Sequence, residues 1–128
     1  MSESKLNLLN VQCDEVQQVC TQLYDAFSKS SAELCADCYE PFCILNINTE
    51  INFIGFAEIK RYWEKLIAAN IKPLTKEEAQ ITSYRRDMFS VKTKWELSTG
   101  IRLTMNDTWV KQEDESYKLL VQSIVEKP

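Results

Sequence analysis

Asp107 is the residue of this 128-residue chain whose position most demands a chemical explanation. It lies in the stretch LTMNDTWVKQ (103–112), where Ile101, Leu103, Met105 and Trp109 share its parity. Successive side chains of a strand point to opposite faces, so a strand here puts a carboxylate on an apolar face. Even an unpaired neutral polar group on such a face costs roughly 2–7 kcal/mol. Asp107 must therefore be hydrogen-bonded, have a raised pKa, or both. Either it serves a pocket, or it bonds a buried backbone group or a neighbouring tyrosine.

The rest of the chemical inventory narrows the choice. Histidine is absent, which removes Ser-His-Asp triads, Cys-His pairs and His-ligated metals. Acid–base work falls to Asp, Glu, Tyr, Cys or Lys. Cys35 and Cys38 form a C-x-x-C, with Cys43 five residues on and Cys13 and Cys20 upstream. Such a pair is a redox couple, half a metal site, or two small buried residues. It sits in a short predicted helix rather than after a strand, and no second C-x-x-C completes a metal site. Core packing is the expectation, and no metal or cofactor is expected. Of the aromatics, Trp109 shares parity with Asp107 and Phe89 lies on the adjacent predicted strand, so these two are the candidate walls of a pocket, with Trp63 a further one.

Composition sets the frame. A net charge of −4 with scattered Lys and Arg gives no footprint for nucleic acid or an anionic membrane. No apolar run approaches the ~18–20 residues of a membrane span, and MSESKLNLLNVQCDEV lacks the apolar core of a signal peptide. One domain over 1–128, in the cytosol with reduced cysteines, is expected.

The elements that must position these residues are legible from their periodicity. Val16, Val19, Cys20, Leu23, Tyr24 and Phe27 recur at steps of three and four, predicting a helix over 13–29. Ser30-Ser31 can cap a second helix over 32–39, which Pro41 stops. A strand over 42–47 and a turn at 48–50 lead through Ile51–Ile54 to Gly55. Ile59, Tyr62, Trp63, Leu66 and Ile67 mark a third helix, sealed by Pro73. Strands follow over 79–84, 88–97, 101–112 and 117–126. On 88–97, Phe89, Val91, Thr93, Trp95 and Leu97 alternate with polar residues, so one face is buried and one is wet. The last strand is apolar on both parities, with Tyr117, Leu119, Val121 and Val125 on one and Leu120 and Ile124 on the other. The plan is α+β.

This order resembles the NTF2-like superfamily, and within it the SnoaL-like and ketosteroid-isomerase-like branches. QLYDAFSKSSAEL (22–34) is similar to the end of the family's first helix and the step into the second. FIGFAEIKRYWEKL (53–66) is similar to its glycine and following helix, and NDTWVKQEDESYKLLVQSIVE (106–126) to its final hairpin. The resemblance implies a cystatin-like cone, N-terminal helices packed on a strongly curved antiparallel sheet. It implies a pocket for a small hydrophobic or carbonyl-bearing ligand, and a homodimer formed through the outer sheet face. The helices or the segment 6–11 are the other candidates to cover that face. Asp107 falls close to the family's pocket acid and Tyr24 within one residue of its tyrosine, a pair that stabilises a developing enolate oxygen. The family's general base would align with Asn46. An amide cannot accept that proton, so steroid isomerisation is disfavoured and Asn46 is left to orient a ligand. The resemblance thus implies either ligand binding with cofactor-independent isomerase, dehydratase or cyclase chemistry, or a non-catalytic dimerisation module.

Overall fold

A computed structural model describes the backbone of residues 2–128 and the side chains of 8–128 apart from Tyr84. Three helices, α1 (Ser2–Ser28), α2 (Ala32–Ala36) and α3 (Phe56–Ala68), accompany seven strands: β1 (Tyr39–Ile47), β2 (Ile51–Ile54), β3 (Pro73–Lys76), β4 (Gln80–Arg85), β5 (Met88–Leu97), β6 (Arg102–Lys111) and β7 (Tyr117–Lys127). They form one sheet in the order β2-β1-β7-β6-β5-β3, with β4 also on β5. All pairs are antiparallel except β1–β7, which is parallel.

Two short strands share one edge of the long β5. β4 pairs with its first half and β3 with its end, Pro73 lying opposite Leu97. The sequence reading expects Pro73 only to end a helix; an edge position lets it open a strand as well, because no ladder bond is asked of its nitrogen. α1 begins well before Cys13 and leaves Leu8 and Val11 60% and 55% exposed. The side chain of Leu6 lies outside the described residues. Helix α2 is shorter than the sequence suggests. Its N-cap is Ser31, whose hydroxyl accepts from the Leu34 N–H, but it stops at Ala36 and Tyr39 opens β1.

The core lies between α1, α3 and the concave face of the sheet. Val16, Leu23 and Phe27 of α1 are buried against Phe89, Val91 and Trp95 of β5 and Leu103, Met105 and Trp109 of β6. Phe27 packs on Trp63 at 5.1 Å and on Trp95 at 6.2 Å between ring centroids, tying α1 to α3 and β5. Such pairs add about 0.5–1.5 kcal/mol each beyond their burial.

A β-bulge decides the last strand. Thr108 pairs with Val121, but Trp109 pairs with Leu119, so Leu120 is the extra residue. Beyond it the parity reverses. Gln122 and Ile124 join Tyr117 and Leu119 inside, while Val121 turns outward at 41% exposure. The sequence reading grouped Val121 with Leu119, and the bulge separates them. A bulge also bends the strand that carries it, as a sheet wrapped around α1 requires.

Gly55 caps α3 with φ +86°, and a Cβ there would lie 3.5 Å from the Pro41 carbonyl oxygen. The contact is tolerable but the left-handed backbone is not. Gly55→Ala should therefore cost about 1–2 kcal/mol, read as a lower urea midpoint at an unchanged denaturant slope.

Candidate functional site

Asp107 points into the cone, as its parity requires. It is 4% exposed, between Met105 and Trp109 on its own strand, with Val91 of β5 and Gln122 of β7 opposite. Oδ1 has no hydrogen-bond partner among the described residues. Burial pushes the carboxyl up from 3.8 to about 7, and the nearby Gln122 and Trp109 side chains pull the other way by favouring the charged form. The Trp109 indole N–H itself completes no hydrogen bond.

The carboxyl faces a cavity of about 10 Å³ lined by Gln17, Cys20 and Leu23 of α1, Lys76, Glu77, Trp95 and Trp109 among others. That is about the ~10–15 Å³ that one water needs. A much larger groove, about 400 Å³, lies along α1 and α2, where Val19, Ala26, Leu34, Tyr117 and Lys118 contribute. Trp109 lines both spaces and so forms the partition between them.

A buried polar chain leads from Asp107 away from both spaces. Tyr39, 4% exposed, donates its hydroxyl hydrogen to Gln122 Oε1, and Gln122 is fully buried. The Gln122 amide nitrogen lies 3.9 Å from Met105 Sδ. Burial, with Asp107 nearby, pushes the Tyr39 hydroxyl well above its ordinary value, so it stays a donor. Sequence reasoning missed both residues. Gln122 sits in a strand whose parity the bulge changes, and the sequence pattern places Tyr39 at the end of a helix.

The other predicted residues are dispersed. Tyr24 packs edge-on against Trp95, ring centroids 5.2 Å apart, one ring removed from the Asp107 cavity. Trp63 and Phe89 are fully buried packing residues, the first against Phe27 and the second against Tyr117. Asn46 lies on the outer parity of β1, where it donates to Asn52 Oδ1 at 2.8 Å and accepts from the Thr49 N–H. It braces the β1–β2 turn and is not brought to Asp107.

All five cysteines are free. Burial raises the Cys35 and Cys38 thiols to about 12 and about 11, so both remain protonated and unreactive near neutrality. Among the described residues no three Cys, Asp or Glu side chains gather as a metal site, and no helix is long and apolar enough to cross a membrane.

No protein-family model and no curated protein matches the sequence. Solved structures do match. An NTF2-like protein with a cystatin-like fold from Novosphingobium aromaticivorans superposes with a TM-score of 0.77 at 12% identity, over 96% of this chain and 86% of that one. The fold is the NTF2-like cone. A proposed dehydratase of the NTF2-like family from Streptomyces avermitilis gives 0.75 at 15% identity, covering 93% and 98% of the two chains. A ketosteroid isomerase-like protein from Erwinia carotovora gives 0.73 at 11%, covering 90% and 96%. At such identities the likeness is one of architecture. Within this NTF2-like cone, Asp107 is the inward-facing acid on the curved sheet.

The raised carboxyl has a thermodynamic consequence. Between the ordinary 3.8 and about 7 the folded protein holds a proton that the unfolded chain has released. Stability from this group is complete below about pH 4 and is lost as pH rises to 7, on the order of 4 kcal/mol in all. Urea titrations at pH 5 and pH 8 should show about 2.5 kcal/mol of that fall in the wild type, and Asp107→Asn should flatten it.

Proposed function

We propose that this protein binds a small, hydrophobic, carbonyl-bearing molecule and that Asp107 exchanges a proton with it. The reaction would be an isomerisation, dehydration or cyclisation without a cofactor. One observation carries the proposal: a buried carboxyl, raised to about 7 and with one oxygen unpartnered, faces a cavity in the cone. A general acid or base works best when its pKa lies near the working pH, and a ligand's polar group would satisfy the free oxygen. The groove of about 400 Å³ has the size of a small-molecule site. Its apolar wall suits the body of such a ligand, whose carbonyl would reach Asp107 once Trp109 moves aside. Asp107 is then the acid, Trp109 touches the ligand, and Tyr24, Trp63 and Phe89 shape the wall behind them. The dehydratase and isomerase-like proteins of the same architecture support this as a use that the fold can host.

The test is hydrogen exchange at the carbon beside the carbonyl in a panel of hydrophobic ketones, followed by proton NMR in D₂O. The wild type should wash deuterium into at least one compound, with a rate that changes through about pH 7. Asp107→Asn should slow it by about 10²–10⁴-fold, while Asn46→Ala should leave it intact. Exchange that survives in Asp107→Asn would remove the carboxyl from the chemistry.

A specific observation favours a second reading, a homodimerisation module without catalysis. The cone holds almost no empty space beside Asp107, and the outer face is apolar at one corner. Phe42 is 89% exposed there, with Ile44 at 40%, Ile54 at 55% and Val121 at 41%. Ile44 pairs with both Ile54 and Val121, so three of the four are contiguous. Scattered exposed residues need no explanation, but a contiguous group suits an interface. Under this reading sedimentation shows a dimer that Ile44→Lys converts to monomer, and no compound in the ketone panel exchanges.

A further inference from the structure

The side chain across the strand from the Asp107 carboxyl is an amide, and an amide has two ends. Gln122 lies directly across from Asp107 in the β6–β7 register, both pointing into the cone. Its NH₂ end would favour a charged carboxylate beside it, whereas its carbonyl end would repel one. Nothing in the covalent structure of Gln122 chooses between them. The neighbour that chooses is Tyr39, brought alongside β7 by the parallel β1–β7 pairing, where it sits opposite Leu119. A tyrosine hydroxyl whose hydrogen goes to Oε1 fixes that end of the amide as the acceptor. The NH₂ end is thereby turned toward Met105, two residues from Asp107 on the inner face of β6.

We propose that Tyr39 and Gln122 are positioning residues for Asp107, with Tyr39 acting only through the orientation of the Gln122 amide. The inference rests on the reading of Asp107 as the acid–base group. It adds that a two-residue relay, built from β1 and β7 and touching no ligand, tunes the charge state of that carboxyl. Desolvation drives the acid upward; a fixed N–H donor favours the charged form and holds it where both proton states are accessible. The other titratable groups facing Asp107 are Cys20 from α1 and, at the cavity rim, Lys76 and Glu77. Burial holds the Cys20 thiol protonated far above neutrality, so it contributes no charge there. Lys76 is engaged by the Thr21 hydroxyl at 2.9 Å. None of the three hydrogen-bonds the carboxyl.

Carbon-detected NMR of the Asp107 carboxyl across pH 4–10, assigned with Asp107→Asn, reads the relay directly. In the wild type the midpoint is expected near 7. Tyr39→Phe removes one oxygen and frees the amide, so the midpoint should rise by at least about half a pH unit, roughly threefold in proton affinity. Gln122→Leu removes the donor and should raise it further. The double variant should match Gln122→Leu alone, because Tyr39 has nothing left to orient; that non-additivity marks action through another residue. A merely structural pair would lower stability without moving this midpoint. Unchanged midpoints in both single variants, or additive shifts in the double, would overturn the relay. A measurement on the wild type needs no variant to fold: the Gln122 side-chain NH₂ should show nuclear Overhauser contacts to the Met105 methyl. Contacts to the Tyr39 ring alone would overturn the orientation. The titration is independent of turnover, so a silent ketone panel counts against the catalytic reading, whereas an unmoved midpoint counts against the relay.

Discussion

Keeping one carboxyl out of water is the constraint around which this cone is organised. Asp107 sits in the middle of β6, flanked by Met105 and Trp109 and roofed by α1, where a charge is costly. The fold offers three compensations. It lets the group hold its proton to near neutrality, it sets an amide across the strand from it, and it leaves one small cavity beside it. None is complete, since Oδ1 is unpartnered. A group that is costly to bury and incompletely satisfied is a poor stabiliser, and that is the physical argument for a chemical use.

The inner and outer faces of the same sheet make opposite demands. Inside, Phe27, Trp63, Trp95 and Trp109 fill the cone so thoroughly that only a water-sized space is left beside the acid. Outside, one row across the strands is wholly polar, Lys92, Asn106, Ser123, Asn46 and Asn52. The neighbouring row runs from Thr108 to the apolar Val121, Ile44 and Ile54. Asn46 belongs to that outer lattice, where its amide is spent on Asn52 and the turn backbone. From the groove along α1 and α2, the way to Asp107 passes Trp109, the one ring that lines both that groove and the water-sized cavity.

Much of this was legible in the residue pattern because it rests on local periodicity. The stripe through Ile59, Tyr62 and Trp63 made α3, and the alternation from Phe89 to Leu97 made β5 with that face inward. Gly55 before the helix marked a backbone that needs positive φ. The parity of Asp107 with Leu103, Met105 and Trp109 put it inside, and it is inside. What local periodicity could not supply was the change of phase in β7. A bulge at Leu120 arises from how two bent strands must meet, and no residue of LLVQSIV announces it. Tyr39 was hidden for a related reason: its place beside β7 follows from a parallel pairing between the first strand and the last.

The sequence by itself thus determined most of the elements, though not β3 or the end of α2, together with the inward acid and the absence of imidazole chemistry, since these follow from side-chain spacing and residue type. Only the tertiary structure decided which groups surround that acid. Gln122 comes from 15 positions downstream and Tyr39 from the first strand, two strands across the sheet, and both arrive through strand register. The tertiary structure also decided that Tyr24 meets Trp95 rather than Asp107, and that Asn46 faces outward. Spacing along a chain fixes the face on which a side chain lies; only the pairing of distant strands fixes what it faces.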